Sequence, residues 1–176
     1  RVFEANPQGG GAFGDLPAWD LSDLYDSEDA PELHADLKQL EQACGDFSID
    51  YDGKLAQLNA DEMLKAVERY EAIDIIAGRI MSFAGLRYYQ LTTDPERAKF
   101  MSDMQDKLTE HTTKLVFYGL EFNRLDERAL SKLLSQNAAL ARYKPVFDRM
   151  RAMKPYQLSD EMEKFLHDQS VVGAAA

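Results

Sequence analysis

A chain of 176 residues suits one domain and is long enough to bury a core, and its 45% hydrophobic and 29% charged composition excludes wholesale disorder. A formal charge of -11 excludes DNA, RNA or an anionic membrane as the main partner, because those polyanions demand a basic surface. The one cysteine, Cys44, excludes an internal disulfide; with no apolar run behind a basic start, the N-terminus lacks a signal-peptide pattern, and cytoplasm is the expected compartment.

Residues 1–15 open with the glycine-rich RVFEANPQGGGAFG, lack helical periodicity and read as a flexible arm. Trp19, Leu21, Leu24 and Tyr25 then stand among acids, in a segment expected to be clamped by its large apolar side chains. A first long helix is expected from Asp29, paired with Glu32 in a capping box, to Gly45 and Asp46. Leu33, Leu37, Leu40 and Cys44 share one of its faces, which makes Cys44 a small core hydrophobe rather than a reactive thiol. A loop with a turn at Asp52-Gly53 leads to Asn59, an N-cap with Glu62 at the reciprocal position.

The stretch near 73–91 is read as a buried central helix, with Ile73, Ile76, Ile80 and Phe83 on one line and Ala77, Met81, Ala84 and Tyr88 on another. Asp74, Arg79 and Arg87 make lipid an expensive home for it. Gly78 and Gly85 are positions where a neighbouring helix is expected to approach, and Asp74 marks a candidate break. Thr93-Asp94-Pro95-Glu96 starts a third helix, with threonine as cap, running to about Phe122 on a buried face from Phe100 through Met104, Leu108, His111, Leu115 and Tyr118. On its wet face, Asp103 with Lys107 and Glu110 with Lys114 are the expected ion pairs. Shorter helices follow at 126–135, around Pro145 and after Ser159, carrying Val146, Phe147, Met150, Met153, Met162, Phe165 and Leu166 before the chain dissolves into SVVGAAA. No alternating strand pattern occurs, so the fold class is all-α: a bundle of about six to seven helices around the central one.

Chemistry is sparse. His34, His111 and His167 are far apart, and none belongs to a Glu-x-x-His or His-Glu-x-x-His spacing. His111 reads as a satisfied core or interface histidine, the other two as surface residues. No P-loop, dinucleotide fingerprint or nucleophile elbow is present, so no catalytic or metal residue is assigned within the chain. One charge reversal stands out: Arg142, Lys144, Arg149, Arg151 and Lys154 cluster in an acidic chain. They are candidate receivers of a peptide carboxylate or of an acidic face of another domain, against the blander reading of a solvated helix. Tyr88 and Tyr89 are candidates for the lining of a peptide groove, core packing being the rival.

Trp19-Asp20-Leu21-Ser22-Asp23-Leu24-Tyr25 resembles the opening of oligoendopeptidase F and its relatives in the M3 family of zinc peptidases. Tyr51-Asp52-Gly53-Lys54-Leu55, Thr92-Thr93-Asp94-Pro95-Glu96 and Glu163-Lys164-Phe165-Leu166 with Ser170 and Gly173 resemble later landmarks of the family, in order. The resemblance implies that residues 16–176 are the helical, non-catalytic N-terminal domain of such a peptidase, the chain ending at an artificial or proteolytic boundary. It implies zinc and catalytic residues elsewhere in the parent polypeptide, a same-protein catalytic domain and a short oligopeptide as partners, and no activity or bound cofactor for this chain alone. It also implies a role as a wall or lid of the substrate channel. An exposed apolar docking face follows, with homodimerisation through it as the rival outcome. The alternatives are a stand-alone helical adaptor for a partner peptide or helix, and a four-helix metal or cofactor carrier.

Overall fold

The computed structural model describes residues 19–152 and 154–173; the arm expected over 1–15 and Met153 lie outside the described residues. All regular structure among them is helical. In order, the α-helices are α1 Pro31–Tyr51, α2 Ala60–Gln90, α3 Pro95–Thr112, α4 Val116–Arg124, α5 Glu127–Gln136, α6 Ala138–Ala141, α7 Lys144–Ala152 and α8 Asp160–Gly173. Three 3-10 turns join them, at Leu55–Gln57, Thr113–Leu115 and Lys154–Tyr156. The expected bundle is present, with α6 and the split between α3 and α4 as additions.

Helix α1 begins one residue later than expected. Ala30 stands at the N-cap with no side-chain bond, and Pro31 occupies the first turn, where its missing N–H costs nothing. The Asp29–Glu32 capping box is therefore not used. The helix also runs through Gly45 and Asp46 to Tyr51. A mid-helix glycine costs about 1 kcal/mol, whereas continuing the helix buries all of Phe47, an aromatic worth more than that. The turn then falls at Gly53, whose φ of 75° is the left-handed region that glycine tolerates. Glu121 of α4 holds this turn: the amides of Gly53 and Leu55 donate to its carboxylate oxygens at 2.6 and 3.2 Å.

Helix α2 starts as its sequence reads. Asn59 accepts from the amides of Asp61 and Glu62, and Glu62 accepts from the Asn59 amide at 2.9 Å. Asp74 points to solvent and leaves the helix unbroken across 72–74. Ile73, Ile80, Phe83, Ala84 and Gly85 are buried against α1 and α3, while Ile75, Gly78, Ser82 and Tyr89 are exposed on another face. Neither glycine marks a close helix approach. A Cβ at Gly78 would meet nothing within 4 Å, and one at Gly85 would meet only a Tyr89 ring carbon at 3.8 Å.

Asp94, not Thr93, caps α3, accepting from the amides of Glu96 and Arg97 at 2.9 and 3.3 Å. With Pro95 as the first helical residue, the preceding residue is driven into extended backbone and becomes the cap. The helix stops at Thr112 instead of continuing to Phe122, because two adjacent threonine hydroxyls donate to carbonyls four residues back: Thr112 to Leu108 at 2.8 Å and Thr113 to Thr109 at 2.7 Å. Such back-bonding bends a helix, and here it coincides with a 3-10 turn at Thr113–Leu115. On the wet face, Asp103 pairs with Lys99 rather than with Lys107.

The core is aromatic at its centre. Phe47 touches Tyr51, Tyr70, Phe117 and Tyr118, with ring centroids 4.8 to 5.9 Å apart. Tyr70 of α2 stacks on Tyr118 of α4 at 4.3 Å, and Phe122 meets Phe147 at 4.5 Å, which brings α7 into the same core. The segment before α1 is held by Tyr25, buried edge-on to Phe83 at 5.3 Å, with Leu21 and Leu24 half-buried. Trp19 takes no part in that clamp, being 60% exposed. At the other end, α8 continues through Gly173 instead of dissolving after Ser170.

Candidate functional site

The basic cluster divides by structural duty. Asn137 caps α6 and donates through Nδ2 to Asp61 at 2.8 Å, and the Tyr143 hydroxyl donates to Glu71 at 2.7 Å, so α6 and the start of α7 are pinned to the first half of α2. The hydrogen bond to Glu71, reinforced by burial, raises the Tyr143 pKa. On this frame Arg142 and Arg149 are exposed, and Lys144 is exposed but paired with Asp148 one turn on, at 2.6 Å. Arg151 turns inward. Its side chain is 12% exposed, and Nη2 donates to the Leu125 carbonyl at 2.9 Å and to Glu127 at 3.2 Å, fastening α7 to the α4–α5 corner. It supports the ridge rather than presenting a charge on it.

Tyr88 and Tyr89 lie at the far end of α2, with rings 5.4 Å apart; Tyr89 is 65% exposed and Tyr88 half-buried. At 1.5 Å per residue, the 17 positions from Glu71 to Tyr88 separate the tyrosines from the basic ridge by about 25 Å. The two groups of candidates therefore form two surfaces. Around the tyrosines, Arg97 donates to the Arg87 carbonyl at 3.2 Å, Arg87 pairs with Glu28 at 3.2 Å, and Gln90 donates to the Trp19 carbonyl at 2.9 Å.

A polar knot escaped the sequence reading. Asp36 sits 8% exposed on the apolar face of α1 and accepts from the Tyr25 hydroxyl at 2.5 Å and from Arg79 of α2. Arg79 Nε also donates to the Tyr25 oxygen at 3.1 Å, and its guanidinium carbon lies 5.1 Å from the centre of that ring. Burial raises the Tyr25 pKa against the opposing pull of Arg79. The signal available was a carboxylate set among Leu33, Leu37 and Leu40: a buried charge requires a partner.

The donors among the described residues do not fit a zinc site. His34 is exposed, His167 faces the Thr112 hydroxyl at 3.3 Å, and His111 is half-buried with Nδ1 lacking a hydrogen-bond partner among the described residues, so it is not the satisfied histidine expected. No group of three or more His, Cys, Asp or Glu among the described residues is arranged to hold a metal ion. No helix of the described residues is long and apolar enough to cross a membrane. Cys44 is fully buried, and desolvation pushes its thiol up to about 11 despite the opposing charge of Lys114.

Two outcomes follow for Cys44. Titration with an aromatic disulfide near neutral pH should find no reactive thiol in the native chain and one after denaturation; fast native labelling would contradict the burial. Because the folded thiol holds its proton to about 11 and the unfolded one releases it near 9.0, the native state binds more protons across that window. Stability should therefore fall as pH rises through it, with Tyr25 and Tyr70, also raised by burial, adding to the loss. A stability that is flat or rising over that range, measured by chemical denaturation, would refute the assignment.

A family model described as oligopeptidase F, for the N-terminal part of M3 peptidases, matches residues 121–176, which hold α5 to α8. Oligoendopeptidase F (plasmid) of Lactococcus lactis subsp. cremoris and an oligoendopeptidase F homolog of Lactococcus lactis subsp. lactis are each 23% identical over 148 residues, 84% of this chain. The chain spans 24% of the length of these relatives. The crystal structure of oligoendopeptidase-F from Enterococcus faecium shares the fold, with a TM-score of 0.72 over 82% of this chain and 28% of that one, at 17% identity. The chain is thus similar to that family model over residues 121–176 and to the two oligoendopeptidase F relatives over most of its length, and it shares its fold with the Enterococcus faecium protein.

Proposed function

We propose that the chain is the helical N-terminal domain of a zinc metalloendopeptidase that hydrolyses short oligopeptides, and that it forms a wall or lid of the substrate channel. The observation that carries this reading is the family match on residues 121–176, supported by the fold shared with an oligoendopeptidase over most of the chain. Zinc, its ligands and the general base would come from the catalytic part of the same polypeptide. The chain's own contribution would be steric and electrostatic: a rigid frame, the exposed cations Arg142, Lys144 and Arg149 to meet a peptide carboxylate or an acidic neighbouring face, and Tyr88 and Tyr89 to contact an extended peptide or that neighbour. Arg151 would act through the ridge it supports.

The test is hydrolysis of an internally quenched peptide of about eight residues, a length chosen to match a channel that admits only short, unfolded chains. The 176-residue chain should be inactive with zinc supplied, and the full natural polypeptide should cleave in a chelator-sensitive manner. Zinc-dependent cleavage by the purified 176-residue chain alone, or an inert full polypeptide, would overturn the proposal.

A further inference from the structure

Aspartate followed by glycine is one of the residue pairs most open to spontaneous rearrangement of the backbone. The glycine amide nitrogen attacks the aspartate side-chain carboxyl, and a glycine has no Cβ to obstruct that approach. Asp52-Gly53 is the one such pair in the sequence, and no Asn-Gly occurs. Both residues are exposed, in the turn between α1 and Leu55–Gln57, and a Cβ at Gly53 would meet nothing within 4 Å. Solvent and space for the reaction are at hand.

Two features of the folded turn oppose it. Ring closure needs the Gly53 nitrogen eclipsed with the Asp52 Cβ about the Cα–C bond, which for an L residue requires a strongly negative ψ. Asp52 has a ψ of 126°. The nitrogen is also engaged, its amide donating to Glu121 Oε1 of α4 at 2.6 Å. The amides around it are bonded as well: Asp52 to the Ser48 carbonyl at 3.0 Å, Lys54 to the Tyr51 carbonyl at 2.9 Å, and Leu55 to Glu121 Oε2 at 3.2 Å. Of these four amides, those of Gly53 and Leu55 depend on a side chain from another helix. Loss of Glu121 would free Gly53 while the hydrogen bonds at the end of α1 remain.

We propose that Asp52-Gly53 is a site of isoaspartate formation and that Glu121 is the positioning residue that guards it. In the first step the Gly53 nitrogen attacks Cγ of the protonated Asp52 carboxyl. An N–Cγ bond forms, a Cγ–O bond breaks, and the hydroxyl leaves as water with the amide proton. Water then opens the resulting succinimide. Cleavage of the new N–Cγ bond restores aspartate. Cleavage of the bond from the nitrogen to the original backbone carbonyl leaves isoaspartate, whose main chain runs through Cβ and Cγ. The water released is the water consumed, so the mass is unchanged. The product has one more backbone carbon next to Gly53, which displaces that amide from Glu121 and loosens the tie between α1 and α4.

Peptide mapping of the 176-residue chain after prolonged warm incubation tests the proposal. An endoproteinase that cuts before aspartate leaves isoaspartate at position 52 uncut, so the uncut fraction measures the conversion. Conversion should be about tenfold or more slower in the folded chain than in the chain unfolded by guanidinium. Glu121→Ala should speed conversion in the folded chain by about fivefold or more, and Glu121→Gln, which keeps one carbonyl acceptor, should fall between it and the parent. If Glu121→Ala does not fold, the Glu121→Gln rate and the parent's folded-to-unfolded ratio decide. A folded parent that converts as fast as the unfolded chain overturns the guard. So does a Glu121 variant that folds and converts no faster than the parent, a result that would make the carboxylate a helper of the attack instead. Absence of isoaspartate at 52 even in the unfolded chain overturns the site itself.

Discussion

Replacement of Phe47 by alanine is expected to destabilise the domain by about 3–5 kcal/mol, the range for an aromatic removed from a packed core. Phe47 has no solvent exposure, and its ring meets others from α1, α2 and α4. No single neighbour can move to fill the gap without giving up contacts of its own, such as the 4.3 Å stacking of Tyr70 on Tyr118. Domains of this size are stable by only about 5–15 kcal/mol in total, so the variant should melt far below the parent or fail to fold. Phe47→Leu retains most of the volume and should cost much less. Equal losses for the two variants in urea titrations would mean that ring packing at this point is not what joins the helices.

Asp36→Ala is expected to cost about 2–3 kcal/mol. It strands the Tyr25 hydroxyl, in a side chain that is 3% exposed, and removes the carboxylate that holds Arg79. A buried group left unpaired costs about 1–3 kcal/mol, and breaking a fully buried ion pair costs about 3–5. Arg79 remains 43% exposed and is rescued in part by water, which keeps the figure below the upper limit. Tyr25→Phe on the Asp36→Ala background should cost little more, because the stranded hydroxyl is then gone. Simple additivity of the two single variants would show that the three side chains do not act as a unit.

These two sites also mark what could be read in advance. Phe47 continues the stripe of Leu33, Leu37, Leu40 and Cys44 by one turn, so the core face was visible; the glycine at 45 concealed how far the helix runs, because propensity is local and burial is not. The capping box at Asn59 was legible because all its atoms lie within four residues. The cap of the next helix was off by one, since Thr93 and Asp94 are both good capping residues and the backbone restriction imposed by Pro95 decides between them. The stop at Thr112 required weighing two hydroxyls against a long apolar stripe.

The candidate surfaces were legible as composition and illegible as geometry. A run of cations from Arg142 to Lys154 is plain in the sequence, but the inward turn of Arg151 depends on a carbonyl 26 residues away. The Asp36 knot closes over separations of 11, 43 and 54 residues, which no local pattern encodes. The exposure of Met162, Phe165 and Leu166 on α8 is of the same kind. The apolar residues of that helix were recognised, and the side they face is set by Arg124, Thr112 and Thr113 from other helices.

The central claim is that these helices shape a reaction site whose working atoms reside in polypeptide beyond the 176 residues. The most direct measurement is the nucleotide sequence of the parent gene downstream of the codon for Ala176. An open frame that continues into a His-Glu-x-x-His helix with a later glutamate ligand is the predicted result; a stop codon in its place would contradict the account and favour a free-standing helical adaptor.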